Sequence, residues 1–332
     1  MAKWDKEYLK LCKKILTEGV EVENRTGINT LKIPSYNFLF DLQEEFPVLT
    51  TKQLFFKNAI TEILWIYQEQ SNDVRWLQER KNHIWDEWMV DADGIYRIYE
   101  PNKNDETVFD KDKEVDLYDL DGNIMLDKEG NKIKVKGIIE GKNIKAAKFY
   151  GKEYAYTIGT AYGWIVNRYK LTQNLIDTIK SNPNDRRLVM SLWQNEFLKT
   201  AVLPSCVWSS EWDVTDGYLN LSVHQRSCDV PLGLPFNVTQ YATLLSLIAH
   251  CTNLKPGKIS WSIKDAHIYV NQIEGIKEQI LRGETLEDLE APELWINEEI
   301  HDFFEFDNSR DLKDIKIRKY KHHGKINFPL AQ

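Results

Sequence analysis

Two short segments carry side chains that together suit covalent chemistry on a nucleotide. The first, Pro204-Ser205-Cys206, offers a thiol, and the second, Gln225 to Asn237, reads QRSCDVPLGLPFN and begins nineteen residues later. A thiolate attacks polarised carbon, an arginine grips phosphate bidentately, and an amide donates and accepts at once and so reads the edge of a base. The residue types and their spacing therefore predict covalent chemistry on a nucleotide.

Cys206 is the candidate nucleophile among four cysteines. A lone cysteine is commonly a small buried hydrophobe, so its reactivity depends on its surroundings. Because an ordinary thiol is mostly protonated at neutral pH, a nucleophilic cysteine needs a cation nearby. Arg226, predicted on the next strand, could supply that charge.

Other candidates each have a functional and a structural interpretation. Glu62 lies inside the apolar run from Phe55 to Gln68, where it is either a satisfied structural carboxylate or a proton carrier. Arg186 and Arg187 follow a turn and are either surface charge or phosphate ligands. Neighbouring residues on a strand point in opposite directions, so at most one of the two easily faces a site in its own chain.

The motif HIWDEW supplies two tryptophans, Trp85 and Trp88. Tryptophan commonly belongs to the core, but it also forms walls against which a planar ligand stacks. Both interpretations stay open on the sequence alone.

Bulk properties exclude several classes of protein. The chain has 332 residues, 42% of them apolar, and a formal charge of −8 with a pI near 5.5. It therefore has ample material for a packed core but no diffuse positive field for long nucleic acid or an anionic membrane. We expect a cytoplasmic protein, because the N-terminus lacks a secretion signal, no apolar run approaches the roughly 20 residues of a membrane span, and no C-x-x-C pair occurs. Neither zinc-like histidine spacing nor a complete calcium loop is present, so no metal is expected.

The elements that position these residues follow from hydrophobic periodicity. Helices and strands mix without a repeating βαβ period, which favours an α+β fold in one domain over 1–332. Residues 91–150 are dense in charge and turn signals, and they predict one or two surface hairpins inserted into that domain. The predicted helices lie at 8–19, 55–68, 170–180 and 238–251, and the predicted strands lie at 188–193, 207–214, 218–225 and 258–263, with a strand pair at 30–42.

Eight segments outside the insertion closely resemble thymidylate synthase, in the order of that family, and the block from QRS to PFN is highly specific. The resemblance implies a fold whose mixed β-sheet forms a homodimer interface, with helices on the other face. It also implies reductive methylation of dUMP to dTMP with 5,10-methylenetetrahydrofolate as cosubstrate. The segments are RTGINTLKI (25–33), FPVLTTK (46–52), TEILW (61–65), HIWDEW (83–88), DRRLVMSLW (185–193), LPSC (203–206), QRSCDVPLGLPFN (225–237) and DAHIYVNQIEGIKEQ (265–279).

The resemblance implies roles for four residues that act on the base. Cys206 matches the nucleophile that adds to C6 of uracil, and Asn237 matches the amide that reads the pyrimidine edge. Glu62 matches the carboxylate of a proton relay, and Tyr162 matches a tyrosine near the C5 proton. Arg226, beside the thiol, joins this catalytic set.

The remaining roles concern the rest of the two ligands. By the same resemblance, Arg186 and Arg187 reach the phosphate of the partner subunit, which implies a homodimer. The other nucleotide-binding residues are Arg25, Gln225, Arg226, Ser227, Asp229, His267 and Tyr269. The folate-binding residues are Lys52, Trp85, Trp88, Asp229 and Ala331.

Alternatives remain where the chain departs from the family pattern. Ser205 and Val207 replace a proline and a histidine around the cysteine, and the chain ends in a polar Gln332. If water reached the intermediate before hydride, the enzyme would be a dUMP hydroxymethylase. Two further hypotheses place the chain in other classes of protein. One is a cysteine hydrolase that uses His224 or His267 as its base, and the other is a nucleotide-binding protein without catalysis.

Overall fold

A mixed β-sheet forms the centre of the molecule. The computed structural model describes residues 1–100, 112–139 and 141–330. The strands of the central sheet are β1 (Val20–Val22), β2 (Thr30–Asp41), β8 (Val189–Ser191), β9 (Val207–Thr215), β10 (Tyr218–Gln225), β11 (Cys228–Asp229) and β12 (Lys255–Tyr269). Their order is β1-β2-β12-β10-β9-β8, with β11 paired to β12. Strands β10 and β12 run parallel, whereas β2–β12 and β9–β10 are antiparallel.

Helices pack on one face of this sheet. Helices α1 and α6 contact β2, β10 and β12. Helix α6 is buried on nearly every side, because its sequence is apolar almost throughout. The helices of the described chain are α1 (Lys3–Glu18), α2 (Phe56–Tyr67), α3 (Val74–Glu79), α4 (Gly163–Tyr169), α5 (Leu171–Ser181), α6 (Gly233–Cys251) and α7 (Ile273–Thr285).

The opposite face of the sheet presents a row of side chains in register across five strands. Leu39 pairs with Ser260, Ser260 with Ser222, Ser222 with Glu211, and Glu211 with Val189. Residues directly opposite each other in a sheet share a face. Leu39 is 65% exposed and Val189 is 50% exposed. We call this surface the outer face of the sheet; it leaves large apolar side chains in contact with solvent.

Most elements agree with the pattern of the sequence, and the α+β class is confirmed. The strand pair predicted at 30–42 is wrong, because β2 is one continuous strand. Ser35 adopts φ 72°, and the pairing with β12 continues on both sides of it. The strand therefore absorbs an irregular residue without turning back.

The insertion forms a second, smaller sheet. Its strands are β3 (Ile95–Tyr99), β4 (Glu114–Tyr118), β5 (Lys134–Lys136), β6 (Ile138–Ile139) and β7 (Lys142–Phe149), in the order β3-β7-β4-β5 with β6 on β7. Strands β4 and β7 are parallel, so the arrangement is more than a pair of consecutive hairpins. Gly122 and Gly130 have positive φ at the two predicted turns, as tight turns require. Two strands near the C-terminus, β13 (Glu293–Ile296) and β14 (Ile315–Arg318), form a separate hairpin ladder.

Among the described helices, none combines the length and the apolar character that crossing a bilayer demands.

Candidate active site

Cys206 lies immediately before β9, where two backbone contacts fix it. Its carbonyl oxygen accepts a hydrogen bond from the N–H of Arg226 at 2.9 Å, which joins the start of β9 to the end of β10. Its own N–H donates to the Tyr162 hydroxyl at 2.9 Å. The side chain is partly exposed, so the thiol is held rigidly yet stays accessible.

Arg226 brings its guanidinium against the thiol. Its Nη2 lies 3.9 Å from Cys206 Sγ and 2.5 Å from the carbonyl oxygen of Pro204, while Nε donates to the carbonyl of Ser205 at 3.1 Å. The cation therefore sits where a thiolate would carry its negative charge. A guanidinium has five N–H donors, so these contacts leave donors for an anionic ligand.

Tyr162 occupies a strained backbone conformation at the same place. Its φ of 47° with ψ of −109° lies outside the common regions for a residue with a side chain. Gly163 begins α4 directly after it, and a Cβ there would lie 2.0 Å from the carbonyl oxygen of Ser71. Burial raises the pKa of Tyr162 well above its ordinary value, so the hydroxyl beside Cys206 is neutral. Strain of this kind is typical of functional sites.

A chain of hydrogen bonds runs from Trp261 through Gln225 to the amide of Asn237. The indole Nε1 of Trp261 donates to Gln225 Oε1 at 3.0 Å, and Gln225 Nε2 donates to Asn237 Oδ1 at 3.0 Å. An indole nitrogen only donates, so Gln225 must turn its oxygen toward Trp261 and its nitrogen toward Asn237. Trp261 therefore fixes the orientation of the Asn237 amide through Gln225.

The chain continues to the buried carboxylate. Asn237 Nδ2 donates to Gln240 Oε1 at 3.1 Å, and Gln240 Nε2 donates to Glu62 Oε2 at 2.6 Å. Trp85 Nε1 donates to the other oxygen, Oε1, at 2.8 Å. We call this set the amide chain; its members are Trp261, Gln225, Asn237, Gln240, Glu62 and Trp85.

Burial dominates the chemistry of Glu62. It raises the pKa of this carboxyl from 4.5 to about 7, and the hydrogen bonds from Trp85 and Gln240 only partly offset the effect by stabilising the charged form. A carboxyl group that titrates near neutral pH can both release and accept a proton. Glu62 therefore has the properties of a proton carrier.

The end of β12 carries the residues that are predicted to bind the sugar. His267 Nδ1 bonds Asp265 Oδ1 at 2.9 Å, and the Tyr269 ring meets the His267 ring edge-on with 5.3 Å between centroids. Burial raises the pKa of Tyr269 to about 12, and Asp229, Arg25 and Cys206 lie within electrostatic range of it. Arg25 is exposed and Ser227 half-buried. The structure thus brings β2, β11 and β12 together around the thiol.

Asp229 is a half-buried acceptor on the predicted folate side. Its Oδ1 accepts from the backbone N–H of Leu232 at 3.1 Å, and its Oδ2 accepts from Gln272 Nε2 at 3.1 Å. Burial raises the pKa of this carboxyl. Each oxygen keeps a lone pair that a ligand N–H could use.

The two tryptophans of the folate prediction lie together. The rings of Trp85 and Trp88 meet edge-on with centroids 5.6 Å apart, and Trp85 also contacts Tyr162 at 5.3 Å. The buried Nε1 of Trp88 has no hydrogen-bond partner among the described residues. An unpaired donor beside an aromatic wall fits a flat heterocycle with polar edges.

The C-terminal segment packs beside Gln272, the residue that bonds Asp229. The carbonyl of Pro329 accepts from Gln272 Nε2 at 3.1 Å, and the Phe328 ring fits over Gly275, where a Cβ would lie 2.6 Å from the ring. Lys52, predicted to meet the folate tail, is 5% exposed; its ammonium donates to the carbonyl of Pro231 and lies 4.6 Å from the Phe328 ring centroid. Burial lowers the pKa of Lys52 to about 8. Ala331 lies outside the described residues.

Three predicted residues lie away from the thiol in this chain. Arg186 and Arg187 are exposed next to β8, and Arg187 makes a bidentate pair with Asp185 through contacts of 2.9 and 2.8 Å. His224, the alternative base for a hydrolase, lies 5.8 Å from the Trp208 ring and 3.4 Å from Glu211. Glu211 belongs to the outer face of the sheet, so His224 does not serve Cys206.

Three residues of the site were not predicted: Gln240, Trp261 and Gln272. Gln240 and Gln272 are 2% and 1% exposed. A signal for Gln240 was present, because it lies three residues after Asn237 in an apolar helix, and residues with that spacing share a helix face. Trp261 and Gln272 offered no comparable signal, since their partners come from distant parts of the chain.

An α+β fold that holds a cysteine against an arginine and a strained tyrosine, together with a buried carboxyl, has the groups that an enzyme with a cysteine nucleophile requires. The family model for thymidylate synthase matches residues 6–332. Thymidylate synthases of Clostridium beijerinckii and Leuconostoc mesenteroides are 38% and 35% identical to this chain, and each alignment covers 100% of both sequences. The solved structure of the thermostable thymidylate synthase A from Bacillus subtilis aligns with a TM-score of 0.73 and 30% identity over 99% of both chains. The chain belongs to the thymidylate synthase family and is a methyltransferase.

Proposed function

We propose that this enzyme converts dUMP to dTMP by reductive methylation with 5,10-methylenetetrahydrofolate, through a covalent bond between Cys206 and C6 of the base. The observation that carries the proposal is the contact of Arg226 with the Cys206 thiol, together with the hydrogen bond by which Gln225, the residue before Arg226, orients the Asn237 amide. A binding protein has no need of a partly exposed thiol held between two backbone hydrogen bonds.

Cys206 starts the reaction by adding to the base. Its sulfur forms a bond to C6, and the electron pair of the C5–C6 double bond moves toward C5 and the carbonyl oxygen at C4. The hydrogen bond from the Asn237 amide nitrogen to that oxygen stabilises the negative charge that develops there. C5 thereby becomes a nucleophile.

The reduced folate supplies the one-carbon unit and the hydride. Trp85 and Trp88 form the wall for its ring system, and Asp229 accepts from its N–H groups. Phe328 and Pro329 cover this side of the cavity. Exclusion of water is what these residues contribute, since water would otherwise compete with hydride and give a hydroxymethyl product. The family membership supports the synthase and gives no support to the hydroxymethylase.

Two proton transfers involve the chain itself. Glu62, with its pKa of about 7, exchanges a proton with the substrate side of the cavity. The neutral Tyr162 hydroxyl, which accepts the N–H of Cys206, takes part in removal of the C5 proton together with a base or ordered water. The electron pair left at C5 when that proton is removed expels the folate nitrogen from the one-carbon unit. Hydride transfer from the released folate to that carbon then expels the sulfur from C6, which restores the C5–C6 double bond and frees the thiolate.

The fixed amide of Asn237 selects uracil. Its oxygen faces a ring N–H and its nitrogen faces a carbonyl, which is the pattern of N3 and O4 in uracil. Cytosine presents the reverse pattern, and turning the amide to suit it would set donor against donor at Gln225 and acceptor against acceptor at Gln240. The cost of such unpaired groups disfavours cytosine.

The same proposal includes a homodimer. The outer face of the sheet exposes Leu39, Val189 and Trp208, and a second copy would cover them. Arg186 and Arg187 lie beside that face, so they would reach the phosphate in the partner's site. We also propose that the enzyme needs no metal and works in the cytoplasm, as its free cysteines favour.

A single substitution tests the covalent mechanism. Cys206→Ser should reduce dihydrofolate formation from dUMP and methylenetetrahydrofolate by on the order of a thousandfold or more, because an alcohol is a far weaker nucleophile than a thiolate. Binding of dUMP, measured by calorimetry, should persist. Cys251→Ser, at the far end of α6, is the matched control. A Cys206→Ser enzyme with preserved turnover would refute the covalent step, and a wild-type enzyme that binds dUMP without turnover would refute the synthase.

A further inference from the structure

Gln240 is placed to connect two functional groups that do not touch. It lies one helical turn beyond Asn237 on α6 and is 2% exposed. Its oxygen accepts from Asn237 at 3.1 Å, and its nitrogen donates to Glu62 at 2.6 Å. A buried glutamine with both ends engaged has one orientation, because rotating its amide would break both contacts.

The direction of these contacts depends on the charge of Glu62. An ionised carboxylate only accepts, so it holds the Gln240 nitrogen toward itself and the Gln240 oxygen toward Asn237. A protonated carboxyl carries a donor of its own, and the pull on the Gln240 nitrogen weakens. The protonation state of Glu62 therefore affects the orientation of Asn237 through a single side chain, that of Gln240.

We propose that Gln240 is a positioning residue that couples the proton on Glu62 to the orientation of Asn237, so that the enzyme reads uracil best while Glu62 is ionised. The inference rests on the proposed function for the identity of the nucleotide. It goes beyond that function in making base recognition depend on a proton that is later used in the reaction.

The surroundings of Glu62 contain few other groups that could produce the same coupling. From the described elements packed against it, the ionisable groups that face it are Tyr162 before α4 and Tyr241 on α6. Burial raises the pKa of both tyrosines well above the ordinary value, so both stay neutral across the working range. Trp85 and Gln240, which touch the carboxylate, do not ionise.

Two variants distinguish the hydrogen bond that Gln240 makes with Asn237 from the one that it makes with Glu62. Gln240→Met fills the same volume without hydrogen bonds, whereas Gln240→Glu keeps an oxygen for Asn237 and places a second carboxyl beside Glu62. The first readout is the indole N–H resonance of Trp85, assigned with Trp85→Phe and followed against pH, because this N–H donates to Glu62. In Gln240→Met its midpoint should rise by about one to two pH units, since a hydrogen bond to the charged form is lost. In Gln240→Glu it should rise as well, because two carboxyls that close must share a proton.

The second readout is the preference for dUMP over dCMP in direct binding at pH 8. Gln240→Met should reduce this preference roughly two- to tenfold, the effect of losing one neutral hydrogen bond. Gln240→Glu should retain it, because Asn237 keeps its acceptor. Gln68→Met is the matched control: Gln68 is a buried glutamine at the end of α2 whose amide bonds the carbonyls of Phe303 and Phe306, away from the site. It should leave both readouts at their wild-type values.

Unchanged Trp85 titration and unchanged preference in Gln240→Met would overturn the proposal. So would an equal loss of preference in Gln240→Glu and Gln240→Met. If Gln240→Met does not fold, the wild type still decides, because the coupling predicts that its preference for dUMP over dCMP falls as the pH is lowered through the midpoint of the Trp85 titration, and a preference that stays constant across that midpoint contradicts it. Both readouts use the resting enzyme with nucleotide alone, so they stand apart from failure of the synthase reaction, which wild-type turnover measures.

Discussion

Replacing Glu62 by glutamine should make the protein more stable at alkaline pH while reducing its activity. Burial raises the pKa of Glu62 from 4.5 to about 7 in the folded chain. The native state therefore binds more protons than the unfolded state between those values, and the free energy of unfolding falls as the pH rises through that window. The stability that this carboxyl contributes is fully present below about pH 4.5 and is lost as the pH passes about 7.

The magnitude follows from the size of the difference. At about 1.4 kcal/mol for each pH unit, the whole effect is about 3 kcal/mol, and about 2.5 kcal/mol of it falls between pH 5 and pH 8. Glu62→Gln removes this dependence and also replaces one acceptor by a donor opposite Gln240, which costs about 1 kcal/mol at every pH. Relative to the wild type, the variant should gain about 2.5 kcal/mol as the pH is raised from 5 to 8.

Urea unfolding, followed by tryptophan fluorescence at one protein concentration and four pH values, measures the difference. Glu129→Gln, in an exposed turn of the insertion, is the control for loss of a carboxyl without burial. Turnover of Glu62→Gln at its best pH should fall on the order of a hundredfold, the usual contribution of a proton carrier. A stability difference that does not vary with pH, or one that varies in the opposite direction, would refute the assignment of a raised pKa to Glu62.

Three further substitutions test other parts of the site. Gly163→Ala should destabilise the protein by about 1–3 kcal/mol, because its Cβ would collide with a backbone carbonyl; Gly233→Ala, whose Cβ would make only an ordinary contact 3.6 Å from Asn237 Oδ1, should cost less in the same thermal melts. Phe328→Ala should raise the KM for the folate and yield a hydroxymethyl nucleotide detectable by mass spectrometry, since water gains entry; a product that stays fully methylated would contradict a role in closure. Mixing inactive Cys206→Ser and Arg187→Ala chains should restore roughly a quarter of wild-type activity, because half of the dimers carry one site with both groups; mixtures that stay inactive would contradict the contribution from the partner.

Local patterns predicted the helices and strands well where hydrophobic periodicity alone determined them. The apolar run of α2 and the alternation along β10 predicted the first and last residues of these two elements to within a residue or two. Helix α6 shows the limit, because it begins at Gly233 rather than at 238 as predicted. The prediction followed the apolar run alone, whereas the helix also includes Pro235, because a proline in the first helical turn lacks only an N–H that would have no partner there.

The candidate site was predictable only where the sequence carried a specific motif. The block from Gln225 to Asn237 predicted a group of side chains that lie close together, because its residues span the end of β10 and the start of α6. The contacts of Trp261 and Gln272 depend on strand pairing and on the path of the C-terminus, which no local pattern encodes. The placement of Lys52 against Pro231 and Phe328 could not be predicted from the sequence either, because it depends on where the C-terminal residues pack.

The amide chain shows how one carboxyl could serve both the recognition and the proton transfer that we propose for Glu62. Donor-only indoles stand at its two ends, Trp261 and Trp85, and every link between them donates toward Glu62. When Glu62 is ionised, each of its oxygens accepts one of these bonds, and the arrangement is satisfied. A proton added to Glu62 has no acceptor within the chain, because both neighbours already present N–H groups to it. That proton must therefore lie on a lone pair directed away from Trp85 and Gln240, where it is free to be given up during the reaction.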